Sequence, residues 1–355
     1  MNDWIPANPD AAAPPGPQLP PDTGPGVTPA LPPDAAPRLL PAASAVGRTV
    51  WQPPDIPFDL SRQGLHVGTG GYHFADWPGR FYPPGSPARD WYPFYQLYFS
   101  FLELNHTFYR EPLVRDFVQL ERRSKPGMLF SVKVHKDITH KGIWDAREGR
   151  SLMRRHAAAV GPLAEAGRFY SFLIQLDESV ERGRKVLDYL LETASAAVSE
   201  GLDAHVEFRN RTWHQEPVLQ SLKDAGVGIC NTEIPGLPHA FPLKAYATTG
   251  KAYVRYCGLN LAGWAAEGAG SLERGGGSSR DASSRDAKSP TERLRARNAR
   301  YDYRYSQAEL EARVRGQLRM LEKAGQAAVV FKNHVGGHAA LNALQNVRLL
   351  SQRRP

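Results

Sequence analysis

Residues 203–209, DAHVEFR, alternate with a period of two, so Val206 and Phe208 point to one face of a strand while Glu207 and Arg209 point to the other. Similar alternation places Glu103 in FLELN (101–105), Lys133 in FSVKVH (130–135) and Arg255 in YVRYC (253–257). Charge inside a protein is expensive and rarely unpaired. If these strands close one parallel barrel, their charges meet on its axis near the strand ends, and that is where chemistry is expected.

Working outward, strand-like runs occur at 65–70 (LHVGTG), 99–104 (FSFLEL), 128–134 (MLFSVKV) and 169–176 (FYSFLIQL). Others follow at 203–209, 227–231 (VGICN), 252–257 (AYVRYC) and 327–333 (AAVVFKN). Helical periodicity separates most of them. Ser306 and Glu309 form a capping-box pattern ahead of Leu310, Val314, Leu318 and Leu321, and Leu341, Leu344 and Val347 mark a final helix. Eight strands alternating with helices predict an α/β protein of the (β/α)8 TIM-barrel class. A doubly wound sheet is the rival, but GTGGYH at 68–73 lacks GxGxxG spacing. Its glycines are read as a tight turn at the mouth of the first strand.

Two segments stand outside the alternation. Residues 1–60 hold 16 of the 30 prolines and few large apolar groups, which predicts a disordered or polyproline-like tail. A protein partner for this tail is not identified by its composition. Residues 61–355 form the barrel domain, interrupted at 261–300 by Gly, Ser and Arg, which predicts a flexible insertion.

Composition narrows the class. A hydrophobic fraction of 41% supports a large core without disulfides, and the two cysteines, Cys230 and Cys257, make neither a disulfide framework nor a zinc motif. No run approaches the roughly 18 apolar residues of a membrane span, and MNDWIPANPD does not read as a signal peptide, so no membrane partner and a reducing cytoplasm are expected. The net charge of +8 favours anionic partners weakly.

In a barrel the active site lies at the C-terminal strand ends. Glu103 and Glu207 are expected to act as acid and base there, or as ligands of a divalent cation. Lys133 is a Schiff-base candidate if desolvated beside Arg255, and a mere counter-ion if flanked by either glutamate. Arg209 and Arg255 suggest a fork for carboxylate or phosphate. Tyr72, Asn105, His140, Gln175, Trp213 and Asn333 are the expected substrate-binding residues. His135, His140 and His334 lack metal-ligand spacing, so no metal site is expected, and no cofactor is indicated.

Several stretches resemble the YecE-like family, domain-of-unknown-function family 72. They are GTGGYHFADWPGRFYPPG (68–85), ELNHTFYREP (103–112), FSVKVHKDITH (130–140), LIQLDES (173–179), VEFRNRTW (206–213), YVRYCG (253–258) and FKNHVGGHAALNAL (331–344). The resemblance spans roughly residues 64–350. It implies a TIM barrel but no particular reaction, and it carries over Tyr72, Trp77, Glu103, Asn105, Phe108, Tyr109, Lys133, Thr139, His140, Gln175, Glu207, Arg209, Trp213, Arg255 and Asn333. Cys257 and Asn231 depart from the histidine and aspartate common in that family.

Taken together, the expected function is an enzyme acting on a small polar or anionic substrate. A hydrolase or a lyase/isomerase of a sugar- or nucleotide-like compound fits the mixed charges. One alternative is a non-catalytic nucleic-acid or anion-binding module using Arg295, Arg297 and Arg300 beside Tyr301, Tyr303 and Tyr305. Another is a divalent-metal-dependent barrel enzyme.

Overall fold

A computed structural model describes residues 51–353 apart from 56, 141, 143 and 266–297. Eight parallel strands close in sequence order: β1 (Leu65–Thr69), β2 (Phe101–Leu104), β3 (Leu129–Lys133), β4 (Phe169–Gln175), β5 (Ala204–Glu207), β6 (Gly228–Glu233), β7 (Lys251–Tyr256) and β8 (Gln326–Phe331). β8 pairs back onto β1, with Val330 opposite Gly68. Every strand falls on a run expected from the sequence, and the barrel is the (β/α)8 architecture.

The helices around it are α1 (Trp91–Tyr98), α2 (Val114–Arg123), the short α3 (Lys136–Thr139), α4 (Ala146–Glu165), α5 (Arg184–Val198), α6 (Glu216–Asp224), α7 (Gln307–Ala324) and α8 (His338–Gln352). The capping box before α7 forms as expected: Ser306 accepts from the Glu309 backbone while Glu309 accepts from the Ser306 backbone. No helix joins β6 to β7. Pro235, Pro238 and Pro242 fall in that connection, and proline removes the donors a helix needs. A loop therefore covers this side of the barrel. Among the described residues no helix is long and apolar enough to cross a membrane.

Between barrel and helices lies one continuous apolar layer that includes Leu102, Val132, Ile174, Val206, Val254 and Val329. These are the outward-facing strand residues, and the alternating partners face the axis. Gly68 sits where β1 approaches β2 most closely, since a Cβ there would stand 1.9 Å from the Phe101 carbonyl oxygen. Gly71, at φ +101°, makes the turn expected after β1, with Thr69 Oγ1 donating to its carbonyl at 2.6 Å.

Both segments set apart by composition touch this body at their described ends. From residue 51 the Pro-rich segment lies along the helices, where Tyr98 donates to the Pro54 carbonyl at 3.1 Å and Leu60 is buried. Trp264 and Tyr301, at the two ends of the insertion, join Cys257 in a small buried cluster. The bulk of the insertion, including Arg295 and Arg297, lies outside the described residues.

Candidate active site

Arg255 organises the C-terminal end of the barrel. Projecting inward from β7, it is fully sealed from solvent. Its Nε and Nη2 donate to both oxygens of Glu103 from β2, at 2.7 and 2.8 Å. Nη1 donates to Glu207 of β5, and also to Gln175 Oε1 at 3.1 Å. Glu207 offers its other oxygen to Arg209 Nε. Glu103 is further held by the Tyr253 hydroxyl at 2.8 Å and by Asn105 Nδ2 at 2.8 Å. Two carboxylates and two guanidiniums thus neutralise one another across the axis. Both glutamates are 0% exposed.

The electrostatics follow from that pairing. Burial alone would raise Glu207, but Arg209 and Arg255 override it and hold the carboxyl at about 2. Glu103 behaves likewise: burial pushes it up, and Arg255 and Lys332 bring it below the ordinary carboxylate value. Both glutamates are ionised at neutral pH and committed to arginine.

Lys133 is differently placed. It is 8% exposed and reaches the same space from β3, yet among the described residues no carboxylate forms an ion pair with it. Its Nζ donates to Gln175 Oε1 at 3.2 Å and stands 3.9 Å from the centre of the Phe108 ring. Burial disfavours its ammonium form, and Arg255, Lys332 and Arg209 add repulsion that Glu207 only partly offsets. The amine is therefore held well below its ordinary range. Of the two arrangements the sequence left open for Lys133, the one observed has both glutamates paired with arginine rather than with the lysine.

His140 borders the same space. Its ring meets the Phe108 edge at 4.8 Å, Nδ1 shares a 2.7 Å hydrogen bond with Thr139, and Nε2 lies 3.9 Å from Asp177. Burial and then Lys133 lower it to about 4 against the pull of Asp177, so it is neutral at pH 7. Asn105 keeps its Oδ1 sealed from solvent and without a donor among the described residues.

Glu103, Asn105, Lys133, His140, Gln175, Glu207, Arg209 and Arg255 therefore come together. Three expected residues stand elsewhere. Trp213 stacks on Phe208 at 4.7 Å and donates to the Val180 carbonyl at 2.8 Å, outside the strands, because Phe208 has outward parity. Tyr72 packs on Tyr92 at 5.0 Å and lines a water-sized slot of about 10 Å³ with Leu104 and Arg123. Asn333 also faces outward, tying the end of β8 to the Tyr303 carbonyl at 2.7 Å and to Asn342 at 2.9 Å.

Sequence reasoning missed Lys332, Tyr253 and Trp264. Parity could have found the first two: Ala328, Val330 and Lys332 share one face of β8 and its extension, as Tyr253 and Arg255 share one face of β7. Trp264 had no local signal. The aromatics grouped with Arg300 as a stacking surface are engaged within the fold: Tyr305 is buried and accepts from the Gly258 backbone at 3.0 Å, Tyr301 is buried, and Tyr303 donates to Glu309. Among the described residues no group of three or more His, Cys, Asp or Glu side chains is placed to hold a metal ion. Cys230 and Cys257 are both buried free thiols.

Comparison with known proteins agrees with the fold. The profile described as "Protein of unknown function DUF72" matches residues 66–355. The chain is similar to the UPF0759 protein YunF of Bacillus subtilis (strain 168), 22% identical over 294 residues, which cover 81% of this chain and 94% of that one. A DUF72 family protein of Thermotoga maritima MSB8, solved by crystallography, superposes with a TM-score of 0.66 at 29% identity, over 81% of this chain and 99% of that one. A DUF72 family protein of Enterococcus faecalis V583 gives 0.64 at 22% identity, over 82% and 97%, a likeness of fold.

Proposed function

This chain belongs to the DUF72 family, and from that premise and the geometry of the barrel mouth we propose that it is an enzyme of small anionic carbonyl compounds, a lyase or isomerase that works through the Lys133 amine. The observation that carries this reading is the isolation of Lys133. A buried lysine with Gln175 and Phe108 as its close neighbours, and two guanidiniums nearby, is poised to act as a neutral nucleophile. Hydrolysis by a carboxylate pair is less well served, since Glu103 and Glu207 are each held ionised by arginine and neither carries a proton to donate.

In this reading the substrate's negative charge meets Arg209 and Lys332 at the mouth, where Arg255 is already shared between Glu103 and Glu207. The Lys133 nitrogen attacks the carbonyl carbon. The new C–N bond forms, two protons pass to the carbonyl oxygen, and that oxygen leaves as water. The resulting imine, once protonated, draws electrons from the adjacent carbon, which allows a proton or a carbon substituent to be lost there. Neutral His140 is placed to take up a proton, and Asn105 Oδ1 offers an acceptor for a substrate hydroxyl. A proton returned to the enamine carbon, for which the protonated His140 is the nearby source, regenerates the iminium, and water then cleaves it and restores the amine.

Borohydride trapping tests this. Incubation with glyoxylate or pyruvate and cyanoborohydride at neutral pH is expected to label Lys133 ahead of the surface lysines, as read by peptide mass spectrometry. Labelling confined to surface lysines would overturn the proposal. A second reading, in which the mouth is a non-catalytic anion-binding module, draws on the mutual saturation of Glu103, Arg255, Glu207 and Arg209. It predicts anion binding without any adduct at Lys133.

A further inference from the structure

Beside Lys133 lies a second group of side chains with donors and almost no acceptors. Trp264 is 3% exposed, and its indole Nε1 is sealed from solvent with no hydrogen-bond partner among the described residues. The guanidinium carbons of Arg209 and Arg300 each stand 5.3 Å from the centre of its ring. Arg300 also lies 4.8 Å from the Tyr301 ring, and Lys332 Nζ lies 5.2 Å from it. The two rings are 6.4 Å apart, so three cations gather around one aromatic pair. Arg209 spends Nε on Glu207, and its Nη2 reaches only a thiol acceptor, Cys257 Sγ at 3.8 Å. Lys332 Nζ is hydrogen-bonded by none of the described residues.

Of these cations Arg209 is met by Glu207, whereas Lys332 Nζ and the Trp264 N–H have no hydrogen-bond acceptor among the described residues, and a buried N–H without an acceptor carries a desolvation cost of about 1–3 kcal/mol. One ligand relieves both. We propose that the ends of β5, β7 and β8, roofed by Trp264, form a subsite for a phosphate group, with Arg209, Lys332 and the Trp264 N–H as its donors. A phosphate brings nearly two negative charges and three acceptor oxygens, which matches three donors better than a singly charged carboxylate does. The position is also physically suited: in TIM barrels the loops after strands seven and eight often converge on such a group. His334 reports the same positive field, since burial, Lys332 and Arg300 together lower it to about 3. The inference rests on the reading of the mouth as an anion site, and it narrows the substrate to a phosphorylated carbonyl compound whose reactive carbon faces Lys133.

The test uses the full chain and inorganic phosphate, by thermal shift and calorimetry at ionic strength matched with chloride. A ligand that binds the folded state raises Tm by mass action, so phosphate is expected to give a saturable rise and acetate no more than chloride. Lys332→Met should weaken phosphate by about tenfold or more, as loss of a charge-assisted hydrogen bond does. Trp264→Phe, which keeps the ring and deletes the N–H, should weaken it by about threefold or more. Lys185→Met, an exposed lysine on α5, should leave it within about twofold. No saturable rise, an equal response to acetate, or an unchanged affinity in both Lys332→Met and Trp264→Phe would overturn the subsite. Failure to trap an imine at Lys133 would leave this result standing, so the two proposals fail separately.

Discussion

The barrel interior has two ends that solve the same problem in opposite ways. At the N-terminal end His205 links Lys251 and Ser171, with Nε2 2.9 Å from the Lys251 carbonyl and Nδ1 2.6 Å from the Ser171 hydroxyl. Tyr170 donates to the Ala252 carbonyl at 2.6 Å. Burial lowers His205 to about 4, so its imidazole is neutral, and its Nε2 and the Tyr170 hydroxyl both meet backbone carbonyls. At the C-terminal end the inward groups are ionised, they end on one another, and Lys133, Lys332 and Trp264 are left with donors to spare. The first end leaves the buried His66 Nδ1 without a partner among the described residues, but its imidazoles are neutral and it gathers no surplus cations on the axis. Surplus donors at the second end are what the proposed anionic guest would meet.

The sharpest way to break this contrast is to remove its centre. Arg255→Met leaves Glu103 and Glu207 sealed without their shared partner, and loss of one side of a buried ion pair costs about 3–5 kcal/mol. Urea denaturation should show that loss. A decrease below about 1 kcal/mol would mean that the network is wetter and weaker than its geometry implies.

A smaller effect is expected from the lower end. His205→Phe deletes neutral hydrogen bonds and leaves the Lys251 carbonyl without this partner, which costs about 1–3 kcal/mol. Should it equal or exceed the Arg255 variant, the two ends would not differ in the way described.

The third prediction has the opposite sign. A lysine whose folded-state pKa is depressed weakens the fold at pH values below its ordinary range, because the unfolded chain binds the proton more readily. Stability from this group therefore rises with pH, through the window between the depressed value and the ordinary lysine value of 10.5. Lys133→Met should remove that slope and raise stability at pH 7 by on the order of 1 kcal/mol, while abolishing adduct formation. A destabilised variant would place Lys133 among the structural pairs instead.

The last effect concerns acid. Glu207 is held at about 2 against an ordinary value of 4.5, so its stabilisation is complete above the ordinary value and is lost as pH falls through about 2. Acid titration of stability should show that limb in the wild type. Glu207→Gln should flatten it, at the cost of a lower plateau at neutral pH. An unaltered acid limb would show that other carboxylates carry it.

Much of this was legible from local alternation. Parity in HVEFR, FSVKVH and YVRYC is a property of adjacent residues, and closure of the barrel turned it into convergence on one axis. Trp213 was misjudged by the same rule applied loosely: it follows the outward Phe208 and packs with it. Asn333 was chosen for polarity where parity selected its neighbour Lys332. Trp264 and Tyr301 were beyond reach, because a tryptophan inside a Gly- and Ser-rich stretch announces its burial only when the chain folds back over β7. The fate of Lys133 was likewise undecidable locally. Two glutamates and two arginines on other strands had to be placed before it was clear which cation would be left without a counter-ion.

The most direct measurement is the titration of Lys133 itself, by NMR of a 13C-methylated or 15N-labelled lysine and assigned with the Lys133→Met variant. Titration well below the ordinary lysine range, with the amine neutral at the pH where trapping succeeds, is the predicted result. A Lys133 that titrates with the surface lysines would contradict the account at its root.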